Sequence, residues 1–172
     1  MCIRDGAPPK KPLIAAVDGY ALAGGLELMI ACDLVVANAS AKFGIPEAKR
    51  GLVAGAGGLI RLPEQIPPRV AMELALTGDF IDAERAYALG LVNRLTDGPA
   101  LDAALQLAAT ISANGPLAVQ VSKQIISEYK SWPVEERWSR QGALMGPVFT
   151  SADAREGAAA FAEKRKPNWT GK

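Results

Sequence analysis

The stretch Gly19-Tyr20-Ala21-Leu22-Ala23-Gly24-Gly25-Leu26-Glu27-Leu28-Met29-Ile30-Ala31-Cys32-Asp33 decides the fold of this chain. An apolar run, Leu13 to Val17, precedes it and predicts a strand buried on both faces, because the run is continuous rather than alternating. Gly24 and Gly25 then make a turn that opens an apolar helix carrying one carboxylate, Glu27. A buried carboxylate is costly unless it is satisfied or used. Glu27 is therefore the first candidate for a functional residue.

A second carboxylate follows in the segment Phe43-Gly44-Ile45-Pro46-Glu47. Pro46 fixes the backbone before Glu47 and so directs its side chain. Taken singly, Glu27 could be a structural glutamate paired with an arginine, and Glu47 a helix-start carboxylate stabilised by the helix dipole. Two carboxylates beside an amide-rich turn could instead activate a water and transfer a proton to carbon.

The glycine-rich turns allow more than one interpretation. Neither Ala23-Gly24-Gly25 nor Gly55-Ala56-Gly57-Gly58 has the spacing of a dinucleotide-binding loop, and neither is followed by the Gly-Lys-Ser/Thr of a phosphate-binding loop. An exposed N–H at the helix start could bind a developing oxyanion. Glycine at this position could equally serve only close packing of helix and strand.

Composition narrows the classes of function. The 172 residues are 49% hydrophobic and 22% charged with a net charge of +1, which is typical of a soluble domain and argues against a nucleic-acid-binding protein. The chain has no histidine, which removes Ser-His-Asp and Cys-His catalysis and histidine metal sites. Carboxylates and backbone groups must then carry any chemistry, and no metal site is expected. Two cysteines and no membrane-length apolar run favour a cytoplasmic location.

The order of predicted elements favours an α/β protein. Asp33–Asn38 and Ala41–Gly44 read as strands, and strand, helix, strand in so few residues implies a parallel crossover. Leu91–Leu95 predicts one more short strand, after which the pattern is helical. We therefore expect an α/β core over residues 1–98 and a helical region over residues 99–172.

Individual residues predict where several helices begin. Asp82 is expected to cap a helix over Ala83–Ala88, and Pro116 to occupy the first position of another. Asp153, with Glu156 three residues later, predicts a capping-box start for the last helix. The cluster Lys164-Arg165-Lys166 after that helix is either a solvated end or a contact for ligand phosphates.

These motifs resemble the enoyl-CoA hydratase/isomerase (crotonase) family. Lys11–Glu27 is similar to its K-P-x-I-A-A-V-x-G-x-A-x-G-G-G-x-E segment, and Phe43–Leu52 to its F-G-x-P-E-x-x-x-G-x segment. Further similar segments follow in the family's order: Gly55–Gly58 with Arg61-Leu62, Leu76–Gly78, Ala88–Val92 and Phe161–Arg165. The resemblance covers the chain from Lys11 onward.

The resemblance implies a crotonase-like ββα spiral core followed by C-terminal helices that form a trimer or a dimer of trimers. It implies an acyl-CoA thioester substrate and no cofactor, CoA being part of the substrate. By position, Gly24 resembles the oxyanion-hole glycine, Glu27 the carboxylate that activates water and Glu47 the carboxylate that exchanges the proton at the α-carbon. The substrate-binding positions implied are Ala23, Pro46, Gly55 and Lys164.

Specific activities within the family remain open at this point. Both carboxylates favour a 2-enoyl-CoA hydratase. The residues Pro46–Lys49 and Arg61–Pro63 are also similar to carnitinyl-CoA dehydratases, and an enoyl-CoA isomerase or a non-catalytic acyl-CoA-binding relative are further alternatives. Family members carry an upstream part with the second oxyanion-hole N–H, and residues 3–6 resemble the tail of a helix. We therefore expect this chain to be a fragment or an internal start, impaired in activity.

Overall fold

A computed structural model describes residues 8–172, which form two compact units. The described part of the first unit comprises residues 8–9 and Leu13–Ala108, and the second unit comprises Lys10–Pro12 and Ala109–Lys172. The predicted domain boundary after residue 98 stays a prediction. The helix tail expected at residues 3–6 lies outside the described residues.

Three strands of the first unit form a parallel sheet in the order β1 (Ile14–Val17), β3 (Leu34–Asn38), β6 (Arg94–Thr96). Ile14 pairs with Leu34, which confirms the predicted parallel crossover. The expectation that β1 is buried on both faces is wrong: its residues are partly buried and Ala16 is exposed. The reason is its position, because β1 is an edge strand that pairs with β3 on one side within the described residues.

A second sheet orders β2 (Tyr20–Leu22), β4 (Lys42–Gly44) and β5 (Ile81–Asp82). β2 and β4 are parallel, with Leu22 opposite Gly44, whereas β4 and β5 are antiparallel. Neither β2 nor β5 was predicted, since strands of three and two residues are too short to show a period. Parallel pairing brings the carboxyl ends of β2 and β4 to one edge of the sheet.

Five helical segments complete the first unit up to β6. They are α1 (Gly24–Met29), a 3-10 helix (Pro46–Arg50), α2 (Gly58–Gln65), α3 (Pro68–Thr77) and α4 (Ala83–Ala88). The predicted cap of α4 is confirmed, since Asp82 Oδ1 accepts a hydrogen bond from Arg85 N at 2.8 Å. The core includes Leu26, Phe43, Ile45, Leu62 and Leu74.

The C-terminal part of the chain is helical, as predicted. Its helices are α5 (Ala100–Ser112), α6 (Pro116–Glu128), α7 (Arg137–Phe149) and α8 (Ala152–Ala162), with 3-10 turns at Tyr129–Ser131 and Val134–Glu136. Pro116 occupies the start of α6 as expected. None of the helices in residues 8–172 combines the length and apolar character needed to cross a membrane.

The capping box predicted for the last helix is wrong. Ser151 is the N-cap of α8, and its Oγ accepts a hydrogen bond from Ala154 N at 2.9 Å. Asp153 instead lies inside the first turn, buried to 4% exposure, and its carboxylate accepts hydrogen bonds from Thr170 N and Gly171 N. A sequence pattern within one turn did not reveal these partners, which lie 17 and 18 residues further along the chain.

The same helix holds the C-terminal tail at a second point. Glu156 pairs with Arg165 through both carboxylate oxygens, at 2.6 and 2.9 Å, and Oε1 also accepts a hydrogen bond from Asn168 N. Trp169 packs over Gly157 and donates from Nε1 to Ala113 O at 2.8 Å. The tail, the segment after α8, is thus bonded to other parts of the second unit at several points.

Candidate active site

The candidate site lies where β2 and β4 end in the first unit. α1, which carries Glu27, follows β2 after one residue, and the 3-10 helix that carries Glu47 follows β4 after one residue. Because the two strands are parallel neighbours, both carboxylates start from the same edge of the sheet. Ala23 N donates to Gly44 O at 3.0 Å and joins the two turns directly.

The turn before α1 has a strained backbone. Ala23 adopts φ 51° and ψ −126°, a conformation that L residues rarely adopt and that costs roughly 1–3 kcal/mol. It places the exposed residues Gly24 and Gly25 at the start of α1, where the first N–H groups of a helix have no partner within the helix. The family segment quoted above has glycine where this chain has Ala23, and this strain was not predicted from the sequence.

Glu27 is buried, as predicted, with 3% exposure. The helix that carries Glu27, predicted to be apolar, is not buried on all sides, because Leu28 is 50% exposed. Glu27 Oε1 accepts hydrogen bonds from Ala56 N at 2.7 Å and Gly58 N at 2.9 Å. Backbone amides at the start of α2 therefore compensate the buried carboxylate, in place of the arginine considered from the sequence.

Close approach of backbone to carboxylate depends on a missing side chain at residue 58. A Cβ added to Gly58 would lie 3.1 Å from both Cγ and Oε1 of Glu27 and 3.2 Å from Cβ of Ala54. Gly57 before it has φ 103° and lies under the Arg61 guanidinium, whose Nη1 donates to Ala56 O at 3.1 Å. The glycines of this loop thus let backbone N–H groups come close enough to bind the Glu27 carboxylate.

Glu47 is partly buried and sits in a different environment. Its Oε2 is a buried atom with no hydrogen-bond partner among residues 8–172. Pro46 opens the 3-10 helix, and the Glu47 carbonyl accepts from Leu52 N at 3.1 Å. The backbone around Glu47 is therefore fixed, and one buried carboxylate oxygen has no hydrogen-bond partner within these residues.

An apolar cavity of about 320 Å³ lies beside these residues in the first unit. Its lining includes Gly58, which lies against the Glu27 side chain, and Ile45, two residues before Glu47. The rest of the lining comes from α2 and α3: Leu59, Leu62, Pro63, Pro68, Ala71, Met72, Ala75 and Leu76.

The remaining predicted residues are distributed differently. Ala23, Gly24, Pro46 and the two glutamates share the edge just described, and Gly55 lies exposed in the loop before α2. Lys164 belongs to the second unit, exposed and with φ 54°. The amides of residues 56 and 58 were not predicted from the sequence, although the glycines at 55, 57 and 58 were a signal that backbone comes close to another group there.

Comparison with known proteins identifies the family. The profile of the enoyl-CoA hydratase/isomerase family matches residues 7–172. The chain is 63% identical to an enoyl-CoA hydratase of Mycobacterium tuberculosis H37Rv, whose crystal structure superposes with a TM-score of 0.94 over 96% of this chain and 66% of that one. An enoyl-CoA hydratase of Mycobacterium marinum gives 63% identity and a TM-score of 0.93, with the same coverage. The chain belongs to the enoyl-CoA hydratase/isomerase family and has its crotonase-like fold.

A curated relative carries a second activity name. The carnitinyl-CoA dehydratase of Citrobacter koseri is 46% identical over 167 residues, which are 94% of this chain and 64% of that protein. The chain thus spans slightly less than two thirds of the length of the curated relatives that it matches.

Proposed function

We propose that the protein to which this chain belongs is a 2-enoyl-CoA hydratase, a hydro-lyase that adds water reversibly and syn across the double bond of an enoyl-CoA thioester. The observation that carries the proposal is the pair of carboxylates on one sheet edge, one bonded to two amides and the other with an unpartnered buried oxygen. The family and the names of its relatives support it.

In this proposal Glu27 is the general base for the attacking water. Two N–H donors hold Oε1, so the carboxylate cannot rotate freely and Oε2 keeps a fixed direction. Water attacks the β-carbon and gives its proton to Glu27. The negative charge that develops on the thioester oxygen is stabilised by the N–H of Gly24.

Glu47 supplies the proton that completes the addition. Glu47 enters the step as the carboxylic acid and gives its proton to the α-carbon, so that the enolate collapses to the 3-hydroxyacyl thioester. Glu27 then passes the proton that it took from water to solvent and Glu47 regains one, which resets both groups. In the reverse direction the two carboxylates exchange roles as acid and base. The proposed steps require neither a metal nor a redox cofactor, and CoA is part of the substrate. Ala23, Pro46 and Gly55 are proposed to contact that substrate, and Lys164, by the family resemblance, to contact the CoA phosphates of a substrate held by a neighbouring subunit.

Exchange of each carboxylate for its amide tests these roles. Glu27→Gln and Glu47→Gln keep the shape and remove the base, so each should lower kcat for crotonyl-CoA hydration by about a hundredfold or more. Glu84→Gln, the same change at an exposed position of α4, is the matched control. Loss of the enoyl absorbance measures the rate. Full hydratase activity in Glu27→Gln would refute the role of water activation.

Two alternatives follow from specific observations. The carnitinyl-CoA dehydratase relative favours a specialised acyl group, and dehydration of carnitinyl-CoA faster than that of 3-hydroxybutyryl-CoA would support it. The family description also includes isomerases, in which one carboxylate shuttles a proton and no water adds. Isomerase activity that survives Glu27→Gln would favour this second alternative. A third alternative, a non-catalytic acyl-CoA-binding relative, would be favoured by tight thioester binding without turnover.

We further propose that the 172-residue chain alone is impaired. About a third of the length of each curated relative lies outside the match, and β1 and β2 have open edges within the described residues. One missing oxyanion donor lowers rate by about a hundredfold to a thousandfold. Appreciable crotonyl-CoA hydration by the isolated chain would refute this. We propose that the complete protein is cytoplasmic and forms a trimer or a dimer of trimers. Light scattering measures its oligomeric state.

A further inference from the structure

The segment Gly78–Phe80, which joins α3 to β5, packs against the turn that carries Glu47. α3 ends at Thr77, and Gly78 reverses the chain with φ 66°. Gly78 is buried, whereas Asp79 and Phe80 are exposed. None of these three residues was predicted to belong to the site.

The first contact lies at the bend immediately before Glu47. A Cβ added to Gly78 would lie 3.2 Å from Cα of Pro46 and 3.0 Å from Cγ of Lys49. Pro46 is rigid and directly follows the core residue Ile45, so its backbone cannot give way cheaply. Gly78 therefore fits against the bend without displacing Pro46 because its side chain is only a hydrogen atom.

The second contact lies at the end of β4. A Cβ added to Gly44 would lie 2.7 Å from Cδ1 of Phe80 and 3.1 Å from the carbonyl oxygen of Asp79. Phe80 thus covers the last residue of the strand, three positions before Glu47. Gly44 in turn accepts the hydrogen bond from Ala23 N, so the same point joins the turn before Glu27.

A third contact lies after Glu47. Lys49 Nζ forms an ion pair with Asp79 Oδ1 at 2.6 Å and lies 6.0 Å from the centroid of the Phe80 ring. An exposed ion pair contributes little by itself. The aliphatic part of Lys49, however, crosses Gly78, so that Gly78–Phe80 contacts the turn on both sides of the carboxylate.

We propose that Gly78 and Phe80 are positioning residues for Glu47. They fix the turn from Gly44 to Lys49 and thereby the direction of a carboxylate whose Oε2 has no bond of its own within the described residues. The catalytic consequence rests on the proposed function, since it requires Glu47 to transfer a proton. The placement of the side chain does not, and the two can be tested separately.

Substitution at two matched glycines tests the placement. Gly90 also follows a helix in a left-handed conformation, with φ 80°, but a Cβ added there would meet nothing within 4 Å. Gly78→Ala and Gly90→Ala therefore carry similar backbone strain and differ in contact. In protein labelled with ¹³C-glutamate, we expect Gly78→Ala to shift the Glu47 carboxyl resonance and Gly90→Ala to leave it. An equal shift in both variants, or none in Gly78→Ala, would overturn the proposal.

If Gly78→Ala does not fold, Phe80→Ala tests the same placement of the Glu47 side chain. Its control is Tyr87→Ala, which removes another exposed ring from the first unit. The Glu47 resonance should move in the first variant and not in the second. An unchanged resonance in Phe80→Ala, when Gly78→Ala cannot be obtained, would count against positioning.

Kinetics of crotonyl-CoA hydration test the consequence for catalysis. A reacting group misplaced by about 1 Å lowers rate by up to about a hundredfold, so Gly78→Ala should lower kcat at least about tenfold. KM should change less than about threefold, because the thioester's other contacts remain. A fall in kcat as large in Gly90→Ala would overturn positioning. A complete protein without turnover would contradict the proposed function alone, and the resonances would still decide the placement.

Discussion

At the scale of residues, the site is organised by backbone groups as much as by side chains. Glu27 is compensated by the N–H groups of Ala56 and Gly58 at the start of α2, where the helix dipole also favours negative charge. Such a carboxylate is held in one orientation by fixed backbone donors. The glycine at 58 is what permits the backbone to come this close.

Gly58→Ala should therefore disturb Glu27 directly. The new methyl group would lie 3.1 Å from the carboxylate oxygen and would have to displace it from its two donors. A buried group that loses its partners costs about 1–3 kcal/mol, and we expect the free energy of unfolding to fall by this amount. Urea denaturation measures it. Gly142→Ala, at an open helical position in α7, should leave stability unchanged or raise it.

Ala23→Gly should have the opposite effect on stability. Glycine adopts φ 51° without a Cβ clash, which relieves roughly 1–3 kcal/mol of strain, while its freer unfolded chain opposes this by about 0.4–1 kcal/mol. We expect a net gain of about 1 kcal/mol. Ala75→Gly, in regular α3, should instead lose about 1 kcal/mol. Equal losses for both substitutions would show that the turn at residue 23 is unstrained.

At the scale of elements, α8 serves as an anchor for the segment that follows it. Hydrogen bonds from Thr170 N and Oγ1 and from Gly171 N lower the pKa of Asp153 despite its burial. The guanidinium of Arg165 and the N–H of Asn168 lower the pKa of Glu156 from its ordinary value of 4.5 to about 2. The tail is therefore held by carboxylates that must be charged.

Acid should release the C-terminal tail. Since folding lowers the pKa of Glu156, its contribution is complete above about pH 4.5 and is lost as the pH falls toward about 2. Glu156 and Glu163 raise the pKa of Arg165, so the guanidinium stays charged throughout. The indole N–H resonance of Trp169, bonded to Ala113 O, should move over this range. In Glu156→Gln it should already be shifted at neutral pH; an unchanged resonance there would contradict the anchor.

Elements with strong local signals were predictable, and those set by distant partners were not. Asp82 and Pro116 mark their helix starts because capping and proline geometry are local. Asp153 was misread because its true partners, at residues 170 and 171, are brought near it only by folding. The predicted strand Leu91–Leu95 is found at Arg94–Thr96, since pairing with β3 and not composition sets its position.

At the scale of the molecule, the parallel crossover and the helical C-terminal part follow from the sequence. The division into two sheets does not follow from the sequence, because β2 and β5 are defined by their pairing with β4. For the candidate site, both glutamates and Gly24 were predicted from type and spacing with the resemblance; the structure places them at one edge, and their roles stay predictions. The amides that hold Glu27 and the segment that packs against Glu47 required three-dimensional contacts.

The edges of the two sheets have a further consequence for the chain in solution. β1 and β2, which are consecutive in sequence, both leave backbone N–H and C=O groups unpaired on one side within the described residues. Such edges can template pairing between molecules, which is the first step of aggregation. We expect the isolated chain to aggregate increasingly with concentration. Ala16→Lys, which charges the exposed position of β1, should suppress this in light scattering, whereas Ala88→Lys on α4 should not.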